Sequence, residues 1–119
     1  MKPLTRTLAA ASLLACTLSA APARADEGGR CHFHGSKPAA ESTVLGCATQ
    51  RRDALVAAGK LDRSWKGLAH DSLQAVEGKK GKEWRVTFRN PAVTDPAKAT
   101  LYMFFTLPGN FIAANFTGQ

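Results

Sequence analysis

Two histidines separated by a single residue are the sharpest chemical feature of this 119-residue chain. His32 and His34 flank Phe33, and alternate side chains of an extended segment point to the same side. Two imidazoles on one side suit Zn²⁺ or Cu²⁺, which favour nitrogen ligands. The pattern therefore predicts a divalent metal site, with His70 as a third ligand if the fold brings it near. The alternative is that these histidines are only polar side chains close to the start of a helix.

A row of aromatic residues with arginine neighbours is the second candidate site. Its members are predicted to share the outer face of a β-sheet, and they are Tyr102, Phe104, Phe111, Arg85 and Arg89. Aromatic rings beside guanidinium groups suit a protein segment or an anionic apolar ligand. The alternative function is therefore an envelope protein-interaction or inhibitor-like module. The competing hypothesis is that the N-terminal segment or the turn at residues 61–65 folds over the aromatic row and buries it.

The residues of a hydrolase triad occur together, but in a form that does not predict catalysis. His70, Asp71 and Ser72 are contiguous, whereas triad partners approach one another from separate parts of a fold. The chain also has no nucleophile elbow, no glycine-rich phosphate loop and no His-Glu-x-x-His motif. We therefore expect a protein that is not an enzyme.

The first 25 residues are typical of a secretory signal peptide. Lys2 and Arg6 form a basic start, residues 8–18 an apolar stretch, and Ala25 ends a small-x-small cleavage site. Cys16 lies in a sequence that loosely resembles a lipobox, so a lipid-anchored form is the less favoured alternative. The apolar stretch is shorter than the ~20 residues of a membrane span. We expect a periplasmic or secreted protein that does not span the membrane.

The net charge of the exported form indicates which classes of partner it could bind. Removal of Lys2, Arg6 and Arg24 lowers the formal net charge from +7 to +4, which favours anionic partners such as lipid headgroups, envelope polymers or acidic proteins. A loop with Lys79, Lys80 and Lys82 is suited to phosphate or lipid headgroups, although most such loops are solvated turns. Export argues against nucleic acid as a partner. The predicted partner is a divalent metal or an envelope protein, and its identity is unknown.

The two cysteines that remain after cleavage are predicted to form a disulfide. Cys31 and Cys47 are an even pair in an oxidising compartment. They would close a loop of 16 residues, for which loop-closure entropy suggests ~3 kcal/mol of stabilisation. Such a staple fits a small domain whose core is only just sufficient.

A helix of about five turns is predicted after the histidines. Ser36 or Lys37 would cap it, Pro38 would lie in its first turn, and Gly59 would end it. Gly46, beside a cysteine, predicts a close backbone approach where the disulfide docks. The apolar stripe is predicted as Val44, Leu45, Ala48, Leu55 and Val56, and the solvent side as Arg51, Arg52 and Asp53.

The rest of the chain has the alternating pattern of strands. Strands are predicted at residues 73–77, 84–89, 100–107 and 111–116, with turns at residues 78–81 and 108–109. The last turn predicts three facing core pairs, Phe105 with Ile112, Met103 with Ala114, and Leu101 with Phe116. The fold class is therefore α+β: one N-terminal helix packed on a four-stranded antiparallel meander, in a single small domain at residues 26–119.

Three segments carry a resemblance. They are Cys31-His32-Phe33-His34-Gly35, the Gly-Lys-Lys-Gly-Lys-Glu-Trp sequence of residues 78–84, and the aromatic-rich end at residues 101–118. Together they resemble an uncharacterised family of small exported bacterial proteins, a domain of unknown function. This resemblance implies export and a single domain, and it implies no mechanism. The architecture is also similar, more loosely, to PepSY-type modules, from which an inhibitor or accessory role would follow only by analogy.

Overall fold

A computed structural model describes residues 31–119. The predicted signal peptide, its cleavage site after Ala25 and the alternative lipidation site Cys16 lie outside the described residues. Within them, helix α1 spans Glu41–Ala57, and strands β1 to β4 span His70–Gly78, Gly81–Arg89, Thr100–Thr106 and Phe111–Asn115. Short 3₁₀ turns occur at Arg63–Trp65 and Pro96–Lys98. The strands form one antiparallel sheet in the order β1-β2-β3-β4, so the predicted α+β meander is confirmed.

Helix α1 begins later than the sequence predicted. Ala40 precedes it in an extended conformation and provides no side-chain cap, and Pro38 lies before the helix. The backbone N–H of Ala39 donates to the carbonyl oxygen of Leu107 at 2.8 Å, which holds this segment extended against the sheet. The predicted end is confirmed, because Gly59 has a φ of +75° just beyond the helix.

The core lies between one side of α1 and one face of the sheet. The helix contributes Val44 and Ala48, both of them predicted, and Trp65 closes one end. The sheet contributes five fully buried side chains, Val86, Phe88, Leu101, Met103 and Phe105. Each such side chain stabilises the fold by ~1.5–3 kcal/mol relative to exposure, and together they fix the position of α1 on the sheet.

The prediction that Arg52 faces solvent is wrong, because only 1% of it is exposed. Its Nη1 donates to the carbonyl oxygen of Leu68, and its Nε and Nη2 contact Asp53 at 3.1 and 3.0 Å. The guanidinium also lies 4.8 Å from the centre of the Phe88 ring. Arg52 follows Ala48 by four residues, so it occupies the buried side of the helix, and its polar atoms are satisfied there.

The register between β3 and β4 differs from the prediction by one residue at the turn. Met103 pairs with Ala114 as predicted, but Phe105 pairs with Phe111 rather than with Ile112. Ile112 is therefore the extra residue of a β-bulge, and 45% of it is exposed instead of being buried in the core. The same shift turns Phe111 toward the helix side, where it packs against the core. The predicted pairing of Leu101 with Phe116 is also absent from the ladder, although Phe116 packs on Trp65 with ring centres 5.9 Å apart.

Candidate functional site

The segment at residues 31–35 lies against the turn that joins β3 to β4. The backbone N–H of Phe33 donates to Oδ1 of Asn110 at 2.7 Å, and Nδ2 of Asn110 donates to the Phe33 carbonyl oxygen at 2.8 Å. The amide side chain thus satisfies both backbone groups of Phe33, as a neighbouring strand would. One side chain 77 residues away in the sequence therefore fixes the backbone between the two histidines.

The Phe33 ring fits over the same turn because residue 109 is glycine. A Cβ at Gly109 would lie 2.9 Å from Cε2 of Phe33, closer than real contacts allow. Gly109 also has a φ of +109°, a conformation that other residues rarely adopt. Glycine is required here both for the turn and for the close approach of Phe33.

The predicted disulfide is confirmed and holds the segment at a second point. Cys31 is bonded to Cys47 of α1, and the two Cα atoms lie 5.7 Å apart. The prediction for Gly46 is wrong, because a Cβ at this exposed residue would meet no atom within 4 Å. The disulfide docks through the buried Cys47 itself.

His32 and His34 are consequently displayed side by side on an anchored backbone. Both are exposed, while Phe33 between them is half-buried against the core. Their ring centres lie 4.9 Å apart with an edge-to-face interplanar angle of 85°. Two imidazoles bound to one Zn²⁺ at ~2.0–2.1 Å and a tetrahedral angle would have their ring centres roughly 5 Å apart. The observed distance between the ring centres is of that size, so one ion could bind between the rings once a nitrogen of each ring faced it.

The structure does not bring His70 to this pair. His70 is the first residue of β1 and pairs with Phe88, whereas the turn at residues 107–110 follows the opposite end of β3. The step from Phe88 to Glu83 along β2 alone spans roughly 17 Å at ~3.4 Å per residue. Among residues 31–119, no group of three or more His, Cys, Asp or Glu side chains could hold a metal ion. The candidate site therefore offers two imidazoles and leaves the other coordination positions to water or to an incoming ligand.

A shallow groove lies beside His32, between α1 and β4. Phe111 lines it, instead of lying in the predicted aromatic row on the outer face of the sheet. The Phe111 ring is 5.7 Å from that of Phe105, and the Arg51 guanidinium lies 3.9 Å above it. The bulge in β4 is the physical reason, because a single extra residue exchanges the two faces of a strand.

The other members of the predicted aromatic row do share the outer face of the sheet, but most of their ring surface is covered. Only 8% of Phe104 is exposed, and Tyr102 is half-buried. The covering segment over Tyr102 is the C-terminal tail, since a Cβ at Gly118 would lie 3.2 Å from that ring. Asn115 holds the tail in place by accepting a hydrogen bond from the Gly118 N–H at 2.8 Å. The segments proposed as covers from the sequence do not perform this role, because Phe33 and Trp65 both pack into the core on the other face.

The arginines of the row differ in their surroundings. Arg85 is half-buried and its Nη2 donates to Oε1 of Gln74. Arg89 is exposed and lies 3.9 Å from Asp71, a distance at which an exposed pair contributes little. The outer face of the sheet therefore carries one half-buried arginine and one arginine paired with Asp71, beside rings that are mostly covered.

Comparison with known proteins agrees with the resemblance seen in the sequence. A family model described as a family of unknown function (DUF6488) matches residues 1–119. No curated protein and no solved structure matches the chain. In the described part of the chain, neither α1 nor any other helix is long and apolar enough to cross a membrane. The chain belongs to this family of unknown function, and its site must be interpreted from its own geometry.

Proposed function

We propose that this protein is an exported, non-enzymatic binding domain whose ligand is a divalent transition-metal ion, Zn²⁺ or Cu²⁺. His32 and His34 are the protein ligands. The observation that supports this proposal is the pair of exposed imidazoles, 4.9 Å apart, on a backbone anchored by Asn110 and by the disulfide of Cys31.

Anchoring matters because a metal site is favourable only if its ligands lose little freedom on binding. The disulfide ends one residue before His32, and both backbone groups of Phe33 are hydrogen-bonded. The backbone that carries the two imidazoles is therefore already ordered, and only their side-chain rotamers remain to be fixed when an ion binds. An equivalent pair on a free chain end would first have to be ordered.

The number of ligands sets the kind of binding that we propose. Two imidazoles leave two or more positions of a Zn²⁺ or Cu²⁺ ion open, unlike the four-ligand sites that stabilise small folds. Such a site releases its ion readily, so it suits capture and transfer better than a structural role. Cu²⁺ should bind more tightly than Zn²⁺, as it does at most nitrogen sites.

Export is part of the proposal, and two features support it. The first 25 residues have the pattern of a signal peptide. The disulfide between Cys31 and Cys47 is of a type that persists in oxidising compartments.

Calorimetric titration of purified residues 26–119 with Zn²⁺ and with Cu²⁺ tests the proposal. We expect one ion per chain with a Kd on the order of micromolar, and Cu²⁺ bound more tightly than Zn²⁺. Replacing both ligands, in the double variant His32→Ala with His34→Ala, should weaken binding by at least about 100-fold, because no protein ligand remains. His70→Ala is the matched control and should bind like the wild type. Equal binding by the double variant and the wild type would remove the proposal.

A further inference from the structure

The β-bulge in β4 exposes an apolar side chain that regular alternation would have buried. Ile112 is 45% exposed. Among the described residues 31–119, it is the one large hydrophobic residue that is exposed. Bulges commonly re-aim a side chain near a functional surface. The position of Ile112 therefore raises the question of what it contacts.

Ile112 borders a groove on the outer face of the sheet. Phe104 and Ala113, which pair across β3 and β4, line this groove together with Val76 of β1. The hairpin loop at residues 78–81 and the C-terminal residues Gly118 and Gln119 line its remaining sides. The groove thus has an apolar part within a polar surround.

The surround carries a positive charge. Lys79, Lys80 and Lys82 are exposed along it, and Arg85 is half-buried there. The carboxylates of Glu77 and Glu83 also line the groove. In the part of the chain that the structure describes, the ion pairs are Arg52 with Asp53 and Arg89 with Asp71. The three lysines are therefore available to an anionic ligand.

Arg85 supplies a second, independent indication. Its Nη2 donates to Gln74, but its Nε is buried and has no hydrogen-bond acceptor. A buried donor without a partner is unfavourable and uncommon in folded proteins. Because this Nε has almost no accessible surface, a carboxylate in the groove would accept from it only after the Arg85 side chain turned toward the groove. Charge-assisted hydrogen bonds to arginine are among the strongest in proteins.

We propose that this groove binds an acidic, extended segment of a partner protein. Alternate side chains of such a segment point in opposite directions. One apolar side chain would therefore contact Ile112 on the β4 side of the groove, while flanking carboxylates meet Arg85 and the lysines on the β1–β2 side. An anionic membrane surface fits less well. A single exposed isoleucine offers too little apolar surface to insert into a bilayer.

A fluorescein-labelled hexapeptide of alternating glutamate and leucine is the test ligand, and fluorescence anisotropy measures its binding to residues 26–119. The isosteric peptide of alternating glutamine and leucine is the control. Its affinity should be at least about tenfold lower than that of the glutamate peptide. Added salt should weaken binding of the glutamate peptide, because exposed charges are screened.

Three variants locate the binding site. Ile112→Glu should weaken binding about tenfold or more by adding a like charge to the groove, and Arg85→Met should weaken it by a similar factor. The pair Lys66→Ala with Lys98→Ala, two exposed lysines outside the groove, should bind like the wild type. Circular dichroism confirms that each variant is folded.

Three results would overturn the proposal. They are no saturable binding of the glutamate peptide, equal affinity for both peptides, and unchanged affinity in the Ile112 and Arg85 variants. Adsorption to phosphatidylglycerol vesicles without binding of the peptide would also overturn it and would assign the groove to a membrane surface. The test is independent of the metal site, since His32→Ala with His34→Ala should leave peptide binding unchanged.

Discussion

Asn110 is the residue on which the presentation of the two histidines depends most directly. Asn110→Ala removes both hydrogen bonds between the amide side chain and the Phe33 backbone. It leaves intact two hydrogen bonds of the turn that involve the backbone of Asn110. The Thr106 N–H donates to the Asn110 carbonyl oxygen, and the Asn110 N–H donates to the side-chain Oγ1 of Thr106. The substitution therefore affects the anchored segment more than the hairpin.

The magnitude follows from these two contacts. Each hydrogen bond contributes ~1 kcal/mol net, so the free energy of unfolding should fall by about 2 kcal/mol. For a domain of this size, that loss lowers the melting temperature by about 8–16 °C. Because the disulfide still holds Cys31, we expect the segment to loosen rather than detach, with Zn²⁺ binding about 3–10-fold weaker through the added ordering entropy.

Thermal melts followed by circular dichroism, with urea titrations and calorimetry on the oxidised protein, measure all three quantities. Asn115→Ala is the matched control, because this half-buried side chain hydrogen-bonds only the nearby tail residues 117–119. Asn115 makes four hydrogen bonds, but three of them are exposed, and water replaces exposed hydrogen bonds at little net cost. The free energy of unfolding should therefore fall by about 1 kcal/mol or less, and metal binding should stay unchanged. A loss for Asn110→Ala no larger than that of the control would refute the idea that Asn110 anchors Phe33.

Three further predictions concern the fold. Phe105→Ala should destabilise the domain by about 3–5 kcal/mol. Ile112→Ala should cost about 0.5 kcal/mol or less, because its side chain lies outside the core. Similarly large losses for both variants in urea titrations would support the register without a bulge instead. Arg52→Ala should lower the free energy of unfolding by about 3 kcal/mol or more. It removes the buried aliphatic part of the side chain and the hydrogen bond to the segment before β1. A near-neutral result in the same titrations would show that Arg52 does not stabilise the fold. Hydrogen bonds from the side chain and backbone N–H of Ser64 lower the pKa of Asp62. The stabilisation lost in Asp62→Ala should therefore be present above about pH 4 and should be lost as the pH falls through the lowered pKa. A difference from the wild type that does not shrink as the pH is lowered below about 4 would contradict this.

The elements of the fold were predictable because their signals are local. Alternation identified the strands, and the glycines of the turn at residues 78–81 identified the first hairpin. The predicted mature chain contains two cysteines, so they could form one intramolecular disulfide, which is the one observed. The errors arose where one residue decides the outcome: the extra Ile112 in β4, and Arg52, whose charge masked its place four residues after Ala48 on the buried side of α1.

The candidate site was predictable only in part, for the same reason. His32 and His34 are close in the sequence, so alternation alone placed them together. Nothing local could reveal that Asn110, 77 residues later, binds the backbone between them. The Pro-Gly-Asn sequence signals a turn, and its second role as a docking surface for Phe33 depends on tertiary packing. The same holds for His70, whose distance from the pair is set by the strand order.

The central claim is that His32 and His34 bind one ion together. Its most direct test is NMR of the imidazole ¹⁵N and ¹H signals of ¹⁵N-labelled protein during titration with Zn²⁺. We expect the signals of His32 and His34 to change along one common binding curve that saturates at one ion per chain, while the signals of His70 stay unchanged. Signals of His32 and His34 that do not respond, or three histidines that respond equally and without saturation, would contradict the account.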